Sequence, residues 1–393
     1  MKKIAIFTPS IFTCGGEQRV VTVIANELVK RNKVTIFTCD KKRNKENIYG
    51  LSQKIAVKHY FPYGRNPVKS GLRFLERKKL KLFERYPFLI KIAYYSDGAV
   101  RKMHRTVKNE FDIVIAVSGN LSILLGYANS RRGIEHIYTI GWEHSSYEAY
   151  FETPNLYMWN RKEFFVESVS KLDSCVVLNE DIAEKYKTRL GISCDVIYNP
   201  RSFVSKEKST LTNKQFIAVG RFVKAKGFDL LLEAFRLYAQ MESEWKLVLV
   251  GEGPMLESLK EKAIDYGIHD RVIFTGYTKR VKELLLDSSI YILSSRWEGF
   301  PMCVTEAYEV GLPMVCYDIP AVLPLLKNRE GIKVDAFDTK QLAEAMYQLA
   351  QNRKLREDMG KNAIDMANSI SVENIGKQWG MLFNKRENRG IKR

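Results

Sequence analysis

Long apolar runs are missing from this sequence, because no window reaches 18 uninterrupted apolar residues. A helix that spans a bilayer needs about 20 such residues, so no transmembrane helix is predicted. The N-terminal run MKKIAIFTPS is interrupted by Thr8, Pro9 and Ser10 and has no small-residue cleavage site. We therefore interpret it as a first strand rather than a signal peptide and expect a cytoplasmic protein.

Paired cysteines are also missing. There is no C-x-x-C pair and no histidine at metal-ligand spacing, which favours reduced thiols and predicts no metal site. The six cysteines are Cys14, Cys39, Cys175, Cys194, Cys303 and Cys316.

The glycine signatures of common nucleotide-binding proteins are not found either. Neither G-x-G-x-x-G nor the P-loop pattern follows the first strand of either half of the chain. Dinucleotide-dependent oxidoreductases and P-loop NTPases are therefore disfavoured, although two parallel α/β domains would also describe the former.

Acidic residues are too few to balance the basic ones, and the formal net charge is +18. This excess indicates an anionic partner, which is a phosphate-bearing small molecule, an acidic membrane surface or a nucleic acid. No RNA- or DNA-binding motif appears, so a nucleic-acid-binding protein is the less favoured alternative.

Apolar strand patterns alternate with helical patterns along both halves of the chain, which predicts an α/β protein with two Rossmann-like, doubly wound parallel-sheet domains. We expect a domain of residues 1–200 and a second of residues 201–371, because Pro200 ends a strand and a polar stretch follows. Helices are predicted over 339–351, 355–366 and 372–383. The predicted strands are KIAIFTP, KVTIFTC, DIVIAVS, HIYTIGW, SCVVLN and DVIYNP in the first half, and FIAVGR, KLVLVG, RVIFTG, IYILSS and MVCYD in the second.

Residues 64–108 depart from this alternation. The segment contains 13 lysines and arginines against 3 acidic residues, with leucines and phenylalanines between them. Basic helices of this kind lie on anionic lipid surfaces, so a membrane-surface contact is predicted. The alternative is an ordinary helix packed on its own domain with solvated lysines.

Two loops have the residues expected of a phosphate site. Gly15 and Gly16 stand between the first strand and a helix, where backbone N–H groups can approach a phosphate, although a plain turn is the alternative. Arg221 and Lys226 follow the first strand of the second domain, where a guanidinium and an ammonium suit a diphosphate. A basic surface loop is the alternative there.

Two glutamates stand in WEGFPMCVTEAYEVGLP, a loop that leads into a helix. Glu298 precedes the helix, and Glu306 lies in its first turns among apolar neighbours. A buried carboxylate needs a donor partner, and a pair of sugar hydroxyls is such a partner.

Arg221 with Lys226, the loop EGFP and the spacing Glu298-x7-Glu306 resemble the retaining glycosyltransferases of family 4, a bacterial surface-polysaccharide type with the GT-B fold. The stretches CGGEQRV, IYNP, VGEGP and GWEHS agree with this resemblance. It implies two Rossmann-like domains facing a central cleft, and a C-terminal helix within 372–393 that packs back on the N-terminal domain.

The resemblance also implies roles for individual residues. Arg221 and Lys226 would hold the donor diphosphate, Glu306 the ribose hydroxyls and Glu298 the transferred sugar. His144 would shape the sugar site, although a histidine that caps a strand end is the alternative. The implied donor-binding set comprises Gly15, Gly16, Arg221, Lys226, Tyr277, Glu298, Gly299, Phe300, Pro301, Met302 and Glu306. An exposed loop tyrosine is the alternative for Tyr277, and Glu143 is a further candidate for acceptor contact.

The function implied is retaining transfer of a hexose or N-acetylhexosamine from a nucleotide sugar, with UDP favoured, and with no metal or other cofactor. The acceptor would be a lipid-linked or membrane-associated glycan, and the protein would lie at the inner face of the cell membrane. A soluble sugar-phosphate glycosyltransferase and a nucleotide-sugar epimerase of the same fold are alternatives.

Overall fold

The structure is a computed structural model, and it describes residues 1–41, 47–62, 67–77, 82–131, 133–154 and 157–388. The chain divides into two compact units. The first comprises Met1–Pro200 together with Val372–Arg393, and the second comprises Arg201–Ser371. Each unit is built around its own parallel sheet.

The sheet of the first unit contains seven strands within the described residues. They are β1 (Lys3–Thr8), β2 (Lys33–Thr38), β3 (Ala56–His59), β4 (Ile113–Val117), β5 (Tyr138–Trp142), β6 (Ser174–Val177) and β7 (Asp195–Val196). All neighbours are parallel, in the order β3-β2-β1-β4-β5-β6-β7. The order reverses between β1 and β4, and ligands bind at the carboxyl ends of the strands beside such a reversal.

These strands form because their sequences are almost continuously apolar, as a sheet covered on both faces requires. Every residue of β4 and of β5 is buried. Phe7 of β1 stacks on Phe37 of β2 with ring centroids 4.5 Å apart. Strand β3 was not predicted, because AVKH is short and its exposure alternates at the edge of the sheet.

Helices connect the strands of the first unit. They are α1 (Gly16–Leu28), α2 (Pro67–Arg77), α3 (Leu82–Arg85), α4 (Phe88–Tyr94), α5 (Asp97–Val107), α6 (Gly119–Asn129), α7 (Lys162–Val169) and α8 (Glu180–Leu190), with a π-helical turn at Glu148–Glu152. Helix α8 shows how sequence sets the ends. The side chain of Asn179 accepts a hydrogen bond from the Ile182 N–H at 2.9 Å, and Gly191 ends the helix in the left-handed region.

The second unit contains six parallel strands and six α-helices in the described residues. The strands are β8 (Gln215–Val219), β9 (Lys246–Val250), β10 (Val272–Gly276), β11 (Ile290–Leu293), β12 (Met314–Tyr317) and β13 (Gly331–Val334), and the helices are α9 (Phe228–Met241), α10 (Leu256–Asp265), α11 (Val281–Leu286), α12 (Met302–Glu309), α13 (Thr339–Gln351) and α14 (Arg353–Ser369). The strand order β10-β9-β8-β11-β12-β13 reverses between β8 and β11. Strand β13 was not predicted, whereas α13 has the predicted bounds.

The last helix, α15 (Val372–Asn388), belongs to the first unit. Trp379 of α15 is fully buried and meets Trp142 edge-on, with ring centroids 4.8 Å apart. A side chain at Gly376 would collide with Glu27 of α1, so the two helices lie close together. None of the described helices is long and apolar enough to cross a membrane.

Candidate functional site in each unit

In the second unit, the candidate site lies where β8 and β11 end side by side. The loop after β8 carries Arg221 and Lys226, and the loop after β11 carries Glu298. The ammonium of Lys226 lies 2.5 Å from Oε1 of Glu298, and the Ser295 hydroxyl donates to the same oxygen at 2.7 Å. The structure therefore brings together two residues that the sequence separates by more than seventy positions.

Arg221 lies in the same loop as Lys226 but is exposed. Its guanidinium forms no ion pair within the part of the chain that the structure describes. The next residue, Phe222, is fully buried, and its N–H donates to the Glu252 carbonyl at 2.7 Å. The anchored backbone thus presents a cation that remains available to an anionic ligand.

Glu306 lies on α12, which begins directly after the EGFP loop. Its side chain is only 4% exposed, although a carboxylate is costly to bury. Phe300 and Met302, which flank Pro301 before and at the start of α12, are also buried. The prediction that Glu306 is a buried carboxylate in the first turns of a helix is confirmed.

Tyr277 follows β10, two strands away from β8 in the sheet. Its side chain is 51% exposed, and its backbone N–H donates to Oε1 of Glu252 at 3.2 Å. The structure places this residue at the same edge of the sheet as Lys226. Its role as the platform for the donor base stays a prediction.

In the first unit, the loop after β1 leads into α1 through Gly15 and Gly16. The Gly15 N–H donates to the Tyr49 hydroxyl at 2.9 Å, and the guanidinium of Arg19 lies over the Tyr49 ring at 4.9 Å. The loop is therefore fixed by contacts within its own unit.

Two carboxyl groups, those of Glu17 and Glu143, lie at the carboxyl ends of β4 and β5. Glu143 was a sequence candidate for acceptor contact, whereas Glu17 was not predicted as a site residue. Ser118 directly follows β4 with a φ of 70°, a region that non-glycine residues rarely adopt, and its hydroxyl donates to Glu17 of α1. Glu143 follows β5, is fully buried and accepts a hydrogen bond from Ser122 at 2.5 Å. Glu17 directly follows the glycine pair in CGGEQRV, and this position beside the glycine loop is the sequence feature that could have identified it.

Burial changes the protonation of these groups. Burial raises the pKa of Glu143 to about 7, against the opposing effect of the Ser122 hydrogen bond. Burial likewise raises the pKa of Glu17, while the Ser118 hydrogen bond opposes the rise. In a poorly solvated environment a carboxyl group favours its neutral form.

His144 shows the same effect with the opposite sign. Burial lowers the pKa of His144 to about 3, so its imidazole is neutral at physiological pH. Its ring packs against Trp142 with centroids 4.5 Å apart, and its Nε2 has no hydrogen-bond partner among the described residues. A neutral imidazole can donate or accept one hydrogen bond at this nitrogen, depending on its tautomer.

The comparisons with known proteins identify the family. The model of Glycosyltransferase Family 4 matches residues 14–201, and the model of glycosyl transferases group 1 matches residues 201–366. An uncharacterized glycosyltransferase of Haemophilus influenzae is 29% identical over 387 residues, which cover 96% of this chain and 99% of that protein. The chain belongs to the glycosyltransferases of the family 4 and group 1 type.

Solved structures confirm the GT-B fold. TarM of S. aureus, crystallised as a variant with Fondaparinux, alpha-GlcNAc-glycerol and UDP, has a TM-score of 0.76 at 16% identity and covers 98% of this chain and 100% of that one. The lipopolysaccharide outer core galactosyltransferase WaaB has a TM-score of 0.70 at 19% identity, with 98% and 99% coverage. The fold and family predicted from the sequence are therefore confirmed, while the roles of the individual site residues stay predictions.

Proposed function

We propose that this protein transfers a hexose or N-acetylhexosamine from a nucleotide sugar, with retention of the anomeric configuration, to a lipid-linked or membrane-associated glycan in polysaccharide biosynthesis. The observation that carries this proposal is the contact of Lys226 with Glu298 beside the exposed Arg221, at the carboxyl ends of β8 and β11. UDP is the favoured nucleotide, and TarM is a protein of this fold that has been crystallised with UDP.

In the proposed complex, Arg221 and Lys226 bind the diphosphate, and the leaving group is stabilised by these two cations without a metal ion. Oriented charges in a site that excludes water stabilise developing charge strongly. Glu306 accepts hydrogen bonds from the ribose hydroxyls, and Glu298 contacts the transferred sugar. Backbone N–H groups of Gly299, Phe300 and Met302 complete the sugar site, and Tyr277 receives the base.

The proposed reaction is a front-side displacement. The bond from the anomeric carbon to the diphosphate oxygen breaks, and a bond to the acceptor oxygen forms on the same face. The proton of the acceptor hydroxyl passes to the leaving diphosphate oxygen, so the products are the nucleoside diphosphate and the glycoside. Gly15 and Gly16 approach the donor in this proposal, and the neutral His144 shapes the sugar site rather than acting as a general base.

The membrane part of the proposal rests on the described residues of the segment 64–108. Val68, Phe74 and Phe88 are 70%, 55% and 55% exposed, which is unusual for large apolar side chains close together in sequence. Arg101, Lys102 and Arg105 line a surface groove of about 590 Å³ on α5. Apolar and cationic groups together favour an anionic membrane at the cytoplasmic face as the place where the acceptor is met. Residues 64–66 and 78–81 of this segment lie outside the described residues.

A binding experiment tests the donor. UDP, GDP, ADP and NAD are titrated by calorimetry in EDTA into the wild type and into Arg221→Ala. We expect binding of UDP that is weakened at least tenfold by the substitution, since a charge-assisted contact is lost. Binding of NAD alone, or of no nucleotide, would contradict the proposal.

A further inference from the structure

A bidentate ion pair joins α9 to the loop after β11. Nη1 of Arg296 lies 2.7 Å from Oδ1 of Asp229, and Nη2 lies 2.8 Å from Oδ2. Nη1 also donates to the Lys224 carbonyl at 2.8 Å. Both side chains are only 16% exposed, and a fork of this geometry fixes orientation as well as distance.

Backbone contacts bring the two loops still closer. The Arg296 N–H donates to the Ala225 carbonyl at 2.7 Å, and the Ser294 hydroxyl donates to the Lys226 carbonyl at 3.0 Å. Gly227 has a φ of 63°, and a side chain there would place Cβ 1.9 Å from the backbone carbonyl oxygen of Ser294. Only glycine fits this approach, so loop 224–227 is held directly on loop 294–298.

Lys226 and Glu298, the two residues that meet in the candidate donor site, belong to these two loops. Lys226 lies between the Lys224 carbonyl and Asp229 along the chain, and Glu298 lies two residues after Arg296. The Arg296–Asp229 ion pair therefore lies next to the contact between Lys226 and Glu298 in the sequence of both segments, the one after β8 and the one after β11. We therefore expect a change in this pair to displace the ammonium of Lys226 relative to the carboxylate of Glu298.

The electrostatic surroundings of Asp229 favour its ion pair with Arg296. Burial alone would raise the pKa of Asp229, but the hydrogen bonds and charges of Arg296 and Lys224 outweigh it and hold the pKa well below its usual range. Lys224 is 66% exposed and approaches Asp229 with a single ammonium at 2.8 Å. Arg296, with its two parallel hydrogen bonds and lower exposure, is the partner that fixes the geometry.

We propose that Asp229 and Arg296 are positioning residues of the donor site, and that their ion pair fixes where Lys226 meets the diphosphate. The ligand named here rests on the proposed function, because only that proposal makes Lys226 a diphosphate-binding residue. Binding sites whose charged groups are held by a second layer of contacts lose affinity when that layer is loosened.

The first test is a double-mutant cycle on UDP binding, measured by calorimetry. Arg296→Lys keeps the charge but removes the fork, and we expect about tenfold weaker binding. In a Lys226→Ala background, Arg296→Lys is expected to cause little further loss, because the pair acts through Lys226. Asp229→Asn, which keeps the size of the side chain, is a second variant with the same expectation.

Arg353→Lys is the matched control, since Arg353 also pairs with a carboxylate, Glu357, on the surface of the same unit. We expect it to leave UDP binding unchanged. Wild-type affinity in Arg296→Lys, or losses that add fully in the double variant, would overturn the inference. Equal thermal unfolding midpoints for Arg296→Lys and Arg353→Lys would show that the loss does not come from unfolding.

The second test needs no donor. Reductive methylation of the lysines, followed by mass spectrometry, measures how accessible the Lys226 amine is. We expect several-fold faster methylation of Lys226 in Arg296→Lys than in the wild type or Arg353→Lys, because the amine is less firmly held beside Glu298. An unchanged rate would overturn the inference. Failure of the wild type to bind UDP would instead overturn the proposed function and leave this second test to decide on the ion pair.

Discussion

The two units share one architecture, but the groups at the carboxyl edges of their sheets differ: they form ion pairs in the second unit and are largely neutral in the first. In the second unit, Lys226 and Glu298 form an ion pair, as do Arg296 and Asp229. In the first unit, burial favours the neutral forms of Glu143 and His144. The same strand order therefore supports two edges of different chemistry.

The difference teaches what kind of ligand each edge suits. Fixed charges bind a diphosphate and stabilise the charge that develops on a leaving group. Neutral, buried hydrogen-bonding groups suit sugar hydroxyls, since charged groups would be costly to desolvate there. This contrast agrees with the proposed division into a donor-binding unit and an acceptor-binding unit.

The largest effect is expected where the last helix completes the first unit. Trp379→Ala removes a fully buried side chain from its contact with Trp142, and large core truncations of this kind cost about 3–5 kcal/mol. We expect the first unit to unfold at lower denaturant concentration while the second unit is unaffected, measured by hydrogen exchange of each unit. Equal loss of protection in both units would contradict the assignment of α15.

The next effect concerns the charged edge. Lys226→Ala is expected to lower the rate of sugar transfer by about 100-fold or more, as when one donor to a developing anion is removed. Initial rates with the donor identified by calorimetry provide the measurement. Lys354→Ala, a change at an exposed ion pair on α14, is the control. A wild-type rate in Lys226→Ala would show that the charged edge is not the donor site.

The neutral edge predicts a stability effect that depends on pH. Native Glu143 keeps its proton up to about pH 7, whereas a glutamate in the unfolded chain loses it near pH 4.3, so this group lowers the free energy of unfolding as pH rises between them. Native His144 protonates only near pH 3, against about 6.5 in the unfolded chain, so this group raises that free energy as pH rises. Between about pH 4.5 and 6.5 the two slopes oppose each other.

Removing one of these two titratable groups should reveal the effect of the other on the pH dependence of stability. In Glu143→Gln we expect the free energy of unfolding to fall by about 2 kcal/mol, relative to wild type, as pH is lowered from 6.5 to 4.5. His144→Asn should show the reverse slope. Denaturant titrations at several pH values measure both, and profiles parallel to the wild type would contradict the buried, neutral character of this edge.

The smallest effect concerns the exposed apolar residues of the first unit. Phe74→Ser and Phe88→Ser are each expected to weaken binding to vesicles of anionic phospholipid about tenfold, since a phenylalanine that enters lipid contributes roughly 1.5–3 kcal/mol. Phe337→Ser is the control, because Phe337 is 47% exposed in the second unit. Equal losses for all three variants, measured by vesicle sedimentation, would remove the membrane contact from the proposal.

Local patterns in the sequence were enough to predict the strands with continuous apolar runs, the helix α13 and the glutamate buried on α12. Continuous apolar runs need burial on both faces, and a helical period needs one buried face, so each of these patterns has few solutions. The two missed strands, β3 and β13, are short edge strands in which half or more of the residues are not buried. Whether such a short segment pairs as an edge strand depends on the order of the strands in the sheet, and the local sequence pattern contains little information about that order.

The sequence by itself determined the two α/β units and, through the spacing of Glu298 and Glu306 with Arg221 and Lys226, the family. Only the tertiary structure decided which charged groups meet. The partnership of Asp229 with Arg296 and the burial of Glu143 depend on strands that are separated in the chain and adjacent in the sheet. The sequence determines which side chains can carry a charge. Folding determines how each of them is solvated and which partner it meets, and these two factors decide its pKa and its role.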